Sequence, residues 1–209
     1  MILSPWIGIE TAELLKKKYN TPYLHYPVIP VGAEATSDKE KIEEVISKEE
    51  NRYYQYFVGA ADFFTEIKNE LPYELYTIAD STYALGASNF LINELGYIPK
   101  QAFITDNVPE RYTDKIKSEF KKIDEEYKDK VTFEIDGGEI EKRIRSDKNT
   151  PRKTLILGSE WEDDLELDIK APITYLSIPI TNNLILNKTY IGPDYSWHIK
   201  KPCVAWLKY

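Results

Sequence analysis

Between residues 73 and 180 the spacing of apolar positions switches regularly between two periods. Leu75-Tyr76-Thr77-Ile78-Ala79 is a short apolar run, and Asp80-Ser81-Thr82 is a polar turn. Leu85, Phe90, Leu91 and Leu95 then fall on one side of a helix that Gly96 closes. A run too short for a helix, a turn able to cap, a stripe of 3.6-residue period and a glycine stop predict strand, loop and helix, the first half of a βαβ unit. The alternation continues. Further strands are predicted at Gln101–Thr105, Val131–Ile135, Thr154–Leu157 and Ile173–Ile178, with helices at Tyr83–Leu95, Pro109–Tyr127, Glu139–Arg145 and Trp161–Leu167. Strands that alternate with helices pair in parallel and are covered on both faces. The predicted class is therefore α/β, a Rossmann-like three-layer sandwich with a mostly parallel sheet of about five strands.

The stretch before residue 73 is patterned differently. Leu14 and Leu15 lie on the apolar side of a helix from Glu10 to Tyr19, with Asn20 suited to its C-cap, Pro22 as a stop, and Tyr23–Tyr26 as a short strand. That is a helix and strand with no strand before them, which leads to the expectation that the chain starts inside a domain. Pro27-Val28-Ile29-Pro30-Val31-Gly32 reads as an extended linker. Two helices follow, Asp38–Lys48 and the aromatic Glu49–Leu71, which makes a helical connecting segment ahead of the sheet. The expected organisation is the tail of a preceding Rossmann-like domain (1–30), a helical connector (31–72), a Rossmann-like domain (73–180) and an irregular carboxyl-terminal segment (181–209).

In a parallel sheet the loops after the strands share one edge, where ligands of open α/β sheets bind. Here they are Ala79-Asp80-Ser81-Thr82, Thr105-Asp106-Asn107, Asp136-Gly137-Gly138, Gly158-Ser159-Glu160 and Ser177-Ile178-Pro179. Their hydroxyls, carboxylates and helix N-termini would suit a polar or anionic ligand. The same residue types cap helices, and on the sequence alone capping is the simpler account. Asp80, Ser81, Thr82, Gly158 and Ser159 are the candidate cofactor-contacting residues, and no catalytic or metal-ligating residue stands out.

Composition narrows the possibilities. A net charge of -8 opposes general nucleic-acid binding, which relies on cations that neutralise phosphates. No apolar run approaches the roughly 20 residues of a membrane span. One cysteine, Cys203, allows neither an internal disulfide nor a CxxC zinc site, and a reducing, cytoplasmic setting is expected. GxGxxG, GxxxxGK[ST] and GxSxG are all missing, so the usual nucleotide loops and nucleophile elbow are not expected. The acids Glu160, Glu162, Asp163, Asp164 and Glu166 do not have EF-hand spacing and read as a solvated helix start. His25 and His198 lack a third partner and read as packing or surface groups. Sixteen tyrosines and four tryptophans suit a core or an interface.

Six phrases in order resemble the nitrogenase component 1-type oxidoreductases. They are Leu14-Leu15 with Lys18–Tyr23, Pro30-Val31-Gly32 with Thr36, and Phe90-Leu91 with Glu94-Leu95-Gly96. The others are Ile156-Leu157-Gly158-Ser159 with Trp161-Glu162, Pro172-Ile173 through Ser177-Ile178-Pro179-Ile180, and Tyr190-Ile191-Gly192. The resemblance implies subunits of three Rossmann-like domains, of which this chain would cover the carboxyl-terminal half. It implies a homologous component 1 subunit and an ATP-dependent iron protein reductase as partners, with no nucleic acid and no membrane. It places the family's iron–sulfur cluster on cysteines of an amino-terminal domain, so a cluster is expected only in the full-length complex and none in this stretch. The catalytic subunit's Gly-Gly and Arg cofactor loop is matched here by Ala79-Asp80-Ser81-Thr82, and no histidine precedes Tyr190-Ile191-Gly192. A carboxylate at that loop would repel a negative cluster. The expectation is a fragment that helps form a substrate or cofactor cavity and is inactive alone. The alternative is a stand-alone small-ligand or metallocofactor-binding scaffold module, or an interface domain.

Overall fold

The computed structural model describes residues 1–29, 74–147, 154–169 and 171–177. The connector helices read over 38–48 and 49–71, the segment 181–209, and His198 and Cys203 lie outside the described residues.

The central strand is β3, Glu74–Ala79. It leads through Asp80 into α2, Ser81–Asn93, then β4, Ile98–Ile104, and α3, Glu110–Ile123. A 3₁₀ turn at Tyr127–Lys130 precedes β5, Val131–Phe133, which is followed by α4, Gly137–Ser146. Next come β6, Thr154–Gly158, a 3₁₀ turn at Glu160–Glu162, α5, Asp163–Ile169, and β7, Ile173–Tyr175. The five strands form one sheet in the order β5-β4-β3-β6-β7, and every described pairing is parallel. This is the architecture the alternating pattern predicts.

Period-2 geometry sorts the strand residues onto two faces. Leu75, Ala79, Ala102, Ile104, Leu155 and Leu157 join the cluster that α2 supplies with Leu85, Phe90 and Leu91 and α3 with Ile116 and Phe120. Tyr76, Ile78, Phe103 and Ile156 face the other way, onto Ile140 and Ile144 of α4 and Leu165 of α5. Each large apolar side chain buried here contributes about 1.5–3 kcal/mol, so both faces stabilise the sheet. One polar line crosses the first face: Thr77 Oγ1 lies 3.2 Å from Ser88 Oγ, which lies 3.1 Å from the Tyr127 hydroxyl, all three buried. Gly96, at φ +76, closes α2 as predicted, and the Tyr97 N–H returns to the Leu91 carbonyl.

The amino-terminal stretch corrects one expectation. A two-residue strand β1, Ile2–Leu3, precedes α1, Ile9–Tyr19, and pairs in parallel with β2, His25–Tyr26. The helix therefore does have a strand before it; two apolar residues are too few to show a period. Asn20 ends α1 in the left-handed region, as its C-cap role requires. Leu14 and Leu15, expected on an apolar side, are 61% and 41% exposed. The unit docks on the main sheet instead through Ile29, Val28 and Trp6, which pack with the α2–α3 cluster.

Candidate functional site

The strand order reverses direction at β3. The chain runs outward from it to β4 and β5, then crosses back to β6 on its other side. The crevice at the carboxyl ends of β3 and β6 is the topological switch point, where open α/β sheets bind ligands. All five candidate residues are brought there: Asp80, Ser81 and Thr82 follow β3, while Gly158 ends β6 and Ser159 follows it. Ser81, Thr82, Gly158 and Ser159 are buried.

Their polar groups are engaged within the protein. Asp80 is the N-cap of α2: its Oδ1 accepts from the Thr82 and Tyr83 backbone N–H groups at 3.0 and 3.1 Å. The first N–H of the helix, on Ser81, donates to Asp106 Oδ1 at 2.8 Å, and the Ser81 hydroxyl donates to Asp106 Oδ2 at 2.6 Å. Two carboxylates thus occupy the positive end of α2. Burial pushes the Asp80 carboxyl above its ordinary range; the Tyr83 and Thr82 N–H groups pull it back down, and the Asp106 charge adds to the rise.

A third carboxylate closes the β6 side. Glu162 Oε2 accepts from the Ser159 N–H at 2.6 Å and from the Ser159 hydroxyl at 2.7 Å, while the hydroxyl accepts from the Trp161 N–H at 3.2 Å. This reciprocal arrangement is a capping box. A Cβ on Gly158 would stand 2.9 Å from Glu162 Oε2, so glycine is what lets the carboxylate lie against β6. Burial raises the Glu162 carboxyl as well, and the Ser159 hydrogen bonds oppose the rise. The turn after β7 crosses the seam: the Leu176 and Ser177 N–H groups donate to the Gly158 carbonyl, and the Ser177 hydroxyl donates to the Ile78 carbonyl at 3.1 Å.

The residue that sequence reasoning missed is Trp6. Its indole Nε1 donates to Asp106 Oδ2 at 2.9 Å and to Ser81 Oγ at 3.2 Å. Ser4, also missed, holds the same loop in place. Its hydroxyl accepts from the Ile7 and Trp6 N–H groups at 3.0 and 3.4 Å and from the Thr82 hydroxyl at 3.2 Å. His25 Nε2 donates to the Ser4 carbonyl at 2.8 Å, a packing role as expected. No local pattern marks Trp6, because its partners are 75 and 100 residues away. Glu162 did carry a signal, the S-x-x-E spacing from Ser159. Outside Trp6 is a cleft of about 150 Å³ whose lining includes Gly8, Glu10, Thr11, Arg111 and Tyr112. Arg111 is paired with Glu10 at its rim.

These residues do not suit an iron–sulfur cofactor. Among the described residues no group of three or more His, Cys, Asp or Glu could hold a metal ion. The carboxylates of Asp80, Asp106 and Glu162 would also oppose an anionic cluster at the switch point. No helix among the described residues is long and apolar enough to cross a membrane.

Comparison with known proteins gives the family. The model of the nitrogenase component 1 type oxidoreductases matches residues 1–195. A solved structure described as "Nitrogenase Cp1 at pH 6.5" aligns with a TM-score of 0.67 at 16% sequence identity, over 94% of this chain and 42% of that one. The chain thus spans less than half the length of that relative, and at this identity the likeness is one of fold. No curated protein matches the chain.

Proposed function

The chain belongs to the nitrogenase component 1-type oxidoreductases, and from that membership we propose that it forms one wall of a substrate or cofactor cavity in an ATP-dependent electron-transfer complex. A homologous component 1 subunit and an ATP-dependent iron protein reductase would be its partners, and the complex would work in the cytoplasm. The observation that carries the reading is the switch point between β3 and β6, where Asp80, Ser81, Thr82, Gly158 and Ser159 stand together on the ligand-binding edge of the sheet. Their side-chain donors and acceptors are engaged within the protein, with Asp106, Ser4 and Glu162 among the partners, so they would contribute shape and local charge. Cluster ligands would come from elsewhere in the complex. The segments 1–30, 31–72, 73–180 and 181–209 would be the tail of a preceding Rossmann-like domain, a helical connector, the Rossmann-like domain that forms the wall and an irregular carboxyl-terminal segment.

The test uses the assembled complex with its iron protein and ATP. Asp80→Asn and Gly158→Ala, on the two sides of the crevice, should alter turnover or substrate preference while the iron content per complex stays at the wild-type level. Loss of iron in either variant would show that these residues hold a cluster. Unchanged kinetics in both would remove the crevice from the cavity wall.

A further inference from the structure

The central strand is not paired to the same height on its two sides. Toward β4 the ladder runs to the end of β3, at Ala79↔Ile104. Toward β6 it stops at Thr77↔Leu157, so Ile78 and Ala79 have no ladder partner on that side. The sheet is split there, at the switch point, and the split opens onto the ligand edge.

The split exposes one backbone group that needs a partner. The Ala79 carbonyl accepts from the Thr105 N–H on the β4 side at 3.0 Å. Successive residues of a strand address opposite neighbours, so the Ile78 carbonyl points toward β6, into the split. A carbonyl buried without a donor costs about 1–3 kcal/mol. The donor comes from two strands away. After β7 the chain turns over the end of β6, where the Leu176 and Ser177 N–H groups donate to the Gly158 carbonyl at 2.8 and 3.0 Å. The Ser177 hydroxyl then reaches past β6 and donates to the Ile78 carbonyl at 3.1 Å, across 99 residues of sequence. Leu176 is buried in the cluster beneath α2 and anchors the turn. The ends of β7, β6 and β3 are thereby tied by two residues, beyond the last rungs of both ladders at Gly158↔Tyr175 and Thr77↔Leu157.

We propose that Leu176-Ser177 is a clasp that closes the split between β3 and β6 and fixes the spacing of their ends at the ligand edge. When the clasp is lost the sheet opens at this seam first, while the β4 side of β3 stays paired. On the cavity-wall reading the clasp also sets the width of the crevice, but it is tested in the chain alone.

The test is amide hydrogen exchange of the full chain. Ser177→Ala removes the hydroxyl and keeps the backbone bonds of the turn. The amides of Ile78, Gly158, Leu176 and residue 177 should exchange about two- to tenfold faster, the factor for one neutral hydrogen bond. The Thr105 and Glu134 amides, which bond on the β4 side of the sheet, should keep their wild-type rates. Ser146→Ala removes a comparable hydroxyl-to-carbonyl bond, to Arg143, and should leave all of these amides unchanged. No acceleration at the seam in Ser177→Ala overturns the proposal. So does equal acceleration at Thr105 and Glu134, or the same seam response in Ser146→Ala. Unchanged turnover of Asp80→Asn and Gly158→Ala in the assembled complex would remove the cavity-wall reading and leave these exchange outcomes as they are.

Discussion

Glu162 shows how a single carboxylate can be read wrongly from its surroundings. Among five acids in seven residues it looks like one more solvated charge, yet it is only 4% exposed and closes the β6 turn. Glu162→Ala leaves the Ser159 N–H and hydroxyl without their acceptor and is expected to cost about 1–3 kcal/mol. Gly158→Ala should cost a similar amount, about 1–3 kcal/mol, because the new Cβ displaces the carboxylate from the same bonds. Urea denaturation measures both. The pH dependence follows from the direction of the shift. Burial raises the Glu162 carboxyl from its ordinary value of 4.5, so the folded chain holds that proton more tightly than the unfolded one. Its contribution to stability is full below the ordinary value and is lost as pH rises through the folded value. Glu162→Gln removes this dependence. The stability of wild type relative to that variant should therefore decline from pH 4.5 upward and then level off; a difference that grows with pH would contradict the assignment.

At the level of elements, α2 depends on its two ends and on one internal line. Asp80→Asn keeps an acceptor for the Thr82 and Tyr83 N–H groups and removes the charge that faces Asp106, so it should change stability by less than about 0.5 kcal/mol. Asp80→Ala removes the cap and should cost about 1 kcal/mol. Inside the core, Ser88 is the middle of the Thr77–Ser88–Tyr127 line. Ser88→Ala takes one partner from the hydroxyls on both sides and should cost about 1–3 kcal/mol, more than Tyr127→Phe, which leaves the Thr77–Ser88 contact intact. A thermal-melting comparison of the two tests that order. The elements themselves were legible in the sequence, because strand and helix periods alternate cleanly from Leu75 to Tyr175 and turn residues punctuate them. Boundaries moved by up to four residues, as at β4, whose buried Pro99 and partly exposed Lys100 break the apolar run. The candidate site was half legible. Asp80 and Ser159 are local caps and announce themselves by type and spacing, whereas Trp6 and Ser4 act on α2 across long sequence separations that no periodicity encodes.

For the whole molecule, the docking of residues 1–29 on the sheet edge combines the apolar contacts of Ile29, Val28 and Trp6 with the hydrogen bonds that Ser4 gathers. Ser4→Ala removes the acceptor of three donors and should weaken that docking, seen as faster proteolysis within residues 1–29 while the amides of β3 and β4 keep their protection. Parallel loss of protection in both regions would show instead that the amino-terminal unit and the sheet unfold together. Family membership, legible as six weak phrases in order, agrees with the sheet topology, although a relative of similar fold is only 16% identical. The order β5-β4-β3-β6-β7 also has a consequence in time. The strand at the middle of the sheet is the first of its five to be made, and its partner β6 lies about 80 residues further along the chain. At a synthesis rate of about 5–20 residues per second, Leu75–Ala79 waits on the order of 4–16 s with one edge unpaired. Nascent chains arrested before residue 154 should therefore bind chaperones that recognise extended apolar segments, and chains arrested well beyond β6 should not. The central position that buries β3 in the finished protein leaves it waiting in the open on the ribosome.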